Sequence, residues 1–496
     1  MRRHIPFRFR LCLLFAWGSA LLAACAPVGP DYQAPQPQMP SRWGEAATTD
    51  SGDHAEALAR WWSLFHDPLL DTLIHRAMAA NPDLRIAETR IREARALYRQ
   101  AVAGGLPSVD AGGSFTNSRQ SENVRDRDNA RTQDLFQAQF DANWEIDVFG
   151  SVRRQMEAAE ANLAAAEEDR RTALVSLAAE VARNYVELRA SQQRLAIAGE
   201  NSRIQEQTVA LVRGKFRLGL GGDLEVAQAE TLLAETRAEM PALESGAAQA
   251  MHQLALLLGQ QPQTLKAELT PAGATPPVPP RLPLSLPSEL LRQRPDIRSA
   301  ERQLAAATAT VGVATAELFP RFSLAALIGL QSTSLGDLVT SGSRFWSAGP
   351  TVNWPLFAGG RIRAAIEASE AQRRRAELTY EKTVLTALAE AENALVALDR
   401  ERETHEMLKT AVDASQRAMH IAHGQYQAGL TTFLNVLQSE NALYQSQDKL
   451  AQSGQRLAVN MIALYKALGG GWQFHSPDTA PLFSGPDTAP LARNTP

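Results

Sequence analysis

The chain has 496 residues, of which 45% are hydrophobic, 6% aromatic and 21% charged, with 50 Lys and Arg against 54 Asp and Glu and a formal net charge of −4. That length suffices for a large buried core and, taken alone, for about two or three domains. The near balance of charge excludes the basic footprint of a nucleic-acid binder, so no nucleic acid is expected as a partner.

The first segment, MRRHIPFRFR, carries four arginines and no acid, and the apolar run LCLLFAWGSALLA follows it. A basic start, an apolar stretch of about 13 residues and then small residues describe an export signal rather than a membrane span, which needs about 20 apolar residues. Leu22, Ala23, Ala24 and Cys25 come next. A cysteine in that setting resembles the bacterial lipobox, which makes residues 1–24 a lipoprotein signal peptide and Cys25 the site of a covalent lipid such as palmitate. An ordinary signal peptide with an incidental cysteine is the competing reading. Cys12, the other cysteine, leaves with the signal, so no disulfide framework is expected. The most apolar later stretch, 311–331, is broken by Glu317, Pro320 and Arg321, which argues against a membrane-spanning helix.

After an N-terminal extended segment (25–70) the sequence repeats itself. Asn81-Pro82-Asp83-Leu84 matches Arg294-Pro295-Asp296-Ile297, and Pro107 matches Pro320. After a short slip, Asn143-Trp144 matches Asn353-Trp354, and KFRLGLGGDLEVAQAE (215–230) lies over QYQAGLTTFLNVLQSE (425–440). Two copies of one unit are expected, at 71–262 and 288–471, joined by a proline-rich link at 263–287 and followed by a flexible tail at 472–496.

Each copy reads alike. A helix (82–103; 295–317) precedes two strands (108–117 and 135–148; 321–331 and 347–357) joined by a long polar loop. A very long helix follows (151–213; 361–423), then a turn containing glycine and a last helix (223–258; 432–468). In FQAQFDANWEIDVFG (136–150), apolar and polar residues alternate strictly, the period of a strand with one apolar and one polar face. In the first long helix Val152, Met156, Ala159, Leu163, Ala166, Ala173, Leu177, Val181, Leu188 and Leu195 follow coiled-coil-like spacing. Four strands cannot close into a barrel, and open edges cannot face lipid. Two copies of the chain would give about eight strands, with an interior filled by side chains; three would give about twelve and room for a channel.

The lipobox with CAPVGPDYQAP (25–35), WWSLFHDPLLDTLIHRAMAANPDLRIAETRI (61–91), LPSELLRQRPDIRSAERQLAAA (286–307), FPRFSL (319–324) and the two Gly-Leu turns together resemble the lipoprotein branch of the TolC-like outer-membrane efflux factors. The resemblance implies a mainly α fold with a membrane β-barrel portion, in which a homotrimer forms a twelve-stranded β-barrel on a twelve-helix α-barrel. It also implies a passive exit duct for small toxic compounds, anchored in outer-membrane lipid. The implied partners are a periplasmic adaptor and an inner-membrane transporter of the RND type. In such a protein the hairpin tips, Leu218, Gly219, Leu220 and Gly221 with Gly429, Leu430 and Thr431, dock the adaptor. Acidic residues that ring the aperture elsewhere in the family correspond here to Asn435 and Gln438, which are uncharged; Asp223 and Glu225 are the alternative charged candidates. Trp144 and Trp354 are the expected membrane-interface aromatics.

Arg153, Arg154, Arg361 and Arg363 open the long helices and are read either as lipid-headgroup contacts or as solvated side chains. His420 and His423, three apart, are read as a solvated pair rather than a metal site. No HExxH, GxSxG, CxxC or phosphate-binding loop is present, so neither an enzyme nor a cofactor or metal is expected. The runner-up function is a lipid-anchored periplasmic coiled-coil scaffold or adaptor, which would have no need of apolar-outward strands.

Overall fold

The computed structural model describes residues 27–44, 58–119, 121, 123, 132–279 and 287–473. Cys25 and the signal peptide, much of the first polar loop, part of the proline-rich link and nearly all of the tail lie outside the described residues. The principal elements are α1 (Pro68–Ala80), α2 (Pro82–Ala103), β1 (Ser108–Arg119), β2 (Thr132–Ile146), α3 (Ser151–Arg217), α4 (Asp223–Leu257), α5 (Pro295–Ala316), β3 (Arg321–Ser332), β4 (Arg344–Asn353), α6 (Arg361–Gln427) and α7 (Phe433–Ala467). No helix among the described residues is long and apolar enough to cross a membrane.

Capping chemistry sets the starts. Asp67 accepts from the amides of Leu69 and Leu70, with Pro68 at the first helical position, where its missing N–H costs nothing. Asn81 accepts from Asp83 and Leu84 and so starts α2. Asp147 accepts from the amides of Val152 and Arg153 and starts α3.

The chain divides into two compact units, one made of residues 1–37, 89–167 and 298–382, the other of 38–88, 168–297 and 383–496. The first holds a four-stranded antiparallel sheet in the order β1-β2-β3-β4. Its register places Ala138, Phe140, Ala142, Trp144 and Ile146 beside Leu330, Ile328, Ala326, Leu324 and Phe322 on one face, continued by Trp346, Ala348, Pro350 and Val352 of β4. That face is uncovered: Phe140 is 59% exposed, Ile328 63% and Trp346 76%. The opposite face carries Asp110, Gln137, Gln139, Asp141, Asn143 and Glu145. There the Gln139 amide donates to both carboxylate oxygens of Asp141 at 2.9 Å. Pro350 is tolerated because β4 is an edge.

In the second unit Trp61, Trp62, Phe65, Leu70, Leu73 and Ile74 are buried, and Trp61 stacks on Tyr465 at 5.8 Å. The internal repeat is visible atom by atom. Asn81 Nδ2 donates to the Leu257 carbonyl at 2.9 Å, and Arg294 Nη1, at the matching position, donates to the Ala467 carbonyl at 2.9 Å.

Several element ends differ from the sequence reading. The long helices run to Arg217 and Gln427, past the expected 213 and 423, because the chain turns only at Gly219 and Gly429. The fourth strand runs from Arg344 to Asn353 rather than from 347 to 357, because pairing with β3 begins at Arg344 opposite Leu330. The second strand stops at Ile146, before Val148, where Asp147 becomes the cap of α3.

One of the opening arginines also needs correction. Arg154 is neither solvated nor free to meet headgroups. Its side chain is 4% exposed, pairs with Asp31 at 2.6 Å and Glu157 at 2.7 Å, and donates to the Val28 and Gly29 carbonyls. It fastens the segment that follows Cys25. Arg153 is held by Asp147, and Arg361 by Glu317 at 3.2 Å.

A side chain at Gly329 would meet the Ala138 carbonyl at 2.5 Å across the β2–β3 pairing that joins the two copies. Gly329→Val should therefore abolish SDS-resistant, heat-modifiable migration while the helical circular dichroism persists, at a cost of about 2–3 kcal/mol to the sheet. Unchanged migration would show that this pairing tolerates a side chain.

Candidate functional site

The two hairpin turns have the same construction. In the first, the amide of Leu220 donates to the Lys215 carbonyl at 2.9 Å and that of Gly219 to Phe216 at 2.9 Å. In the second, Leu430 donates to Gln425 at 2.8 Å and Gly429 to Tyr426 at 3.1 Å. These paired bonds satisfy the last helical carbonyls and require a left-handed residue, which Gly219 (φ 70°) and Gly429 (φ 71°) supply. The turns hold their leucines in water: Leu218 is 75% exposed, Leu220 73% and Leu430 78%. Gly221 and Thr431 are half-buried beside them.

Immediately behind the turns the two hairpins pack together. Val209 and Val212 of α3, Val226 and Ala229 of α4, Ala422 and Tyr426 of α6 and Phe433 and Val436 of α7 form one buried cluster. Polar contacts surround it. The Tyr426 hydroxyl donates to Glu225 at 3.3 Å, and Lys215 Nζ lies 3.8 Å from the centre of the Tyr426 ring. Burial, reinforced by the charge of Glu225 and the hydrogen bond to it, pushes the Tyr426 hydroxyl up to about 12, so it stays a donor.

The aperture candidates are not gathered into one cluster. Asn435 and Gln438 are exposed on α7, and Asn435 donates to the Thr431 hydroxyl at 2.6 Å. Asp223 is exposed in the first turn of α4, where its charge suits the helix dipole. Glu225 is half-buried and engaged by Tyr426.

Trp144 and Trp354 occupy matching places. Each is exposed along part of its ring, and each indole N–H donates at 3.0 Å to a carbonyl near a helix end, Gly105 and Leu318 respectively.

His420 and His423 are not an equivalent solvated pair. His423 Nε2 lies 2.7 Å from Glu440, which is 3% exposed and also accepts from Thr208 Oγ1 at 2.5 Å. No group of metal-ligating side chains occurs among the described residues. Glu440 was missed as a site residue. Its signal was its spacing, since Phe433, Val436, Glu440 and Leu443 lie three, four and three apart and place a carboxylate in an apolar seam.

A family description, outer membrane efflux protein, matches residues 73–260 and 286–470. Nodulation protein T of Rhizobium leguminosarum bv. trifolii is 32% identical over 92% of this chain and 96% of its own length. The outer-membrane lipoprotein SilC of Salmonella typhimurium, described as probable, is 32% identical over 94% of this chain and 99% of its own. Among solved structures, the outer-membrane channel OprN superposes with a TM-score of 0.85 at 37% identity, covering 90% of this chain and 99% of its own. The fold is therefore that of a TolC-like channel. The protein is an outer-membrane transport duct and not an enzyme, which decides against the scaffold alternative. The chain belongs to the outer membrane efflux protein family.

Proposed function

We propose that three copies of this chain close one passive duct and that the twin hairpin tips receive a periplasmic adaptor. An inner-membrane transporter, of the RND type, supplies the energy. The observation that carries this reading is the pair of matching turns that hold Leu218, Leu220 and Leu430 rigidly in water. A leucine fixed on a preorganised turn gives up little entropy on docking and gains burial.

Self-association is supported by a second observation. Among the described residues the sheet has unpaired edges at β1 and β4 and an apolar face that a single chain leaves bare. On α6 a stripe of Leu385, Val396, Met407 and Ile421 is also exposed, at helical spacing. A neighbouring copy supplies both the missing strand partner and an apolar cover. In this reading Trp144 and Trp354 mark the membrane interface, while Asn435 and Gln438 with Asp223 line a weakly charged aperture. Cys25 carries the lipid, and Arg154 holds the chain that follows it. The cargo is the class of small toxic compounds, with the choice among them made by the transporter.

Leu220→Asp combined with Leu430→Asp should leave the heat-modifiable trimer intact but lower affinity for the cognate adaptor about tenfold or more, as measured by surface plasmon resonance. Unaltered adaptor binding would remove the tips from the docking surface. Cys25→Ser should lose the acyl mass from the intact-protein mass spectrum and lower the share of the protein fractionating with the outer membrane. An unchanged mass would show that Cys25 is not acylated.

A further inference from the structure

The two copies treat one helix face in opposite ways. Before the strands they run 213 residues apart, as Pro107 and Pro320 show, and after them 210 apart, as Gly150 and Gly360 show. Both spacings hold in the structure, since α2 and α5 are each 22 residues long and α3 and α6 each 67. On α5, Ala305, Ala309 and Gly312 form one buried stripe, spaced four and three apart. The stripe lies against the start of α3. Ala305 clusters with Ala161, and a side chain at Gly312 would meet Arg154 Cγ at 2.8 Å. The matching residues of α2 are Arg92, Ala96 and Arg99, and all three are exposed.

The exchange extends to the facing helix. Where α3 has Arg154, α6 has Ala364. The arginine of the contact has moved from one helix to the other, and the small residue has moved the opposite way. The carboxylate is kept: Glu157, which pairs with Arg154 at 2.7 Å, corresponds to Glu367. Ala364 and Glu367 are exposed. Among the described residues Arg99 has no carboxylate partner and Glu367 no cation. Close packing needs a large residue to face a small one, and it is indifferent to which helix supplies which.

We propose that α2 of one copy packs on the start of α6 of a neighbouring copy, as α5 packs on α3 within the chain, with Arg99 over Ala364 and paired with Glu367 of that neighbour. The inference rests on the reading of the chain as a self-assembling duct and assigns the surface that joins the copies. Within one chain the helices already form a row. Arg95 of α2 meets Glu167 of α3 at 3.9 Å, Arg154 of α3 meets Gly312 of α5, and Glu317 of α5 meets Arg361 of α6 at 3.2 Å. That row has one open face at each end, on α2 and on α6, and the two are complementary in size and charge. Two unlike faces of one chain that fit each other make a head-to-tail contact, which closes into a ring when the rotation allows. One further difference explains why the arginine changes sides. Inside the chain the contact is covered by the segment before α1, where the Val28 and Gly29 carbonyls and the Asp31 carboxylate accept from Arg154. That segment precedes both copies and occurs once in the sequence. The contact between copies is made without it, so its arginine needs a carboxylate from the facing helix, and Glu367 is the one in register.

The test is disulfide trapping in outer membranes from cells that make the full-length chain. Arg99→Cys combined with Ala364→Cys, oxidised and then boiled in SDS without reductant, should run as covalent dimer and trimer, and with reductant as monomer. Each single variant should run as monomer under both conditions. A double variant that forms the SDS-resistant trimer yet boils to monomer without reductant would overturn the contact, and would leave Arg99 to lipid headgroups or water. Cross-linking by Arg99→Cys alone would overturn it too. Charge exchange is the second arm. Arg99→Glu should lower the yield of SDS-resistant trimer about tenfold or more, because like charges then meet at every joint. Arg99→Glu combined with Glu367→Arg should restore that yield. An undiminished yield in the first, or no recovery in the second, would overturn the pairing. If the double cysteine variant failed to assemble, charge exchange would decide the question. If the unaltered protein formed no SDS-resistant trimer, the duct reading itself would fail.

Discussion

A backbone amide or carbonyl facing hydrocarbon without a partner costs several kcal/mol. Among the described residues the sheet ends in two rows of such groups, on β1 and on β4. Everything else about the strand region follows from the need to cover them. The apolar face, with Phe140, Ile328 and Trp346 bare, suits lipid and not a soluble core. The polar face, with its Gln137, Gln139 and Asp141 side chains bonded along one strand, suits water. Neither face nor edge is stable in a lone chain, so the quaternary state is part of the fold.

The helical region answers a different demand. Around Trp61 and Tyr465 large rings stack and exclude water, and parting them would forfeit several kcal/mol. Toward the tips the cluster is built from valine and alanine, with one Tyr and one Phe, and polar bonds surround it. Each such bond contributes about 0.5–1.5 kcal/mol net, because water replaces it when it breaks. The chain is therefore firm where the repeats close on themselves and separable where they meet the tips. A duct gated at its tips needs that distribution.

Periodic features were legible in the sequence and directional ones were not. The two-residue period of 136–146 predicted a strand with two unlike faces, and the register of β2 against β3 carries those faces across the sheet. The Gly-Leu pairs predicted the turns, because only the left-handed residue of such a turn selects glycine so strongly. Arg154 and His423 were misread for one reason. A long polar side chain at a helix surface points wherever its partner lies, and Asp31 and Glu440 come from other segments that no local pattern connects to them. The proline-bearing β4 was placed late because an edge strand is defined by its pairing with β3, which begins at Arg344 rather than at the first apolar residue.

Register between the copies recovers part of what periodicity misses. Once Arg213 is laid over His423 and Glu230 over Glu440, one contact can be transferred from a surface pair to a buried one, and the change of residue becomes interpretable. The same holds for Asn81 and Arg294, which donate to matching carbonyls. At that place the second copy uses a charged donor that also meets Asp296 and Glu390, each at 2.7 Å, so its closure is tied by ion pairs where the first copy uses a neutral amide. A duplicated fold needs only that both copies satisfy the same backbone groups; it leaves the side chains that do so free to differ in charge. The second hairpin sets His423 against a buried Glu440 where the first has an exposed ion pair, and a buried arginine where the first has a neutral amide, which makes the two halves of each chain alike in geometry and unlike in charge.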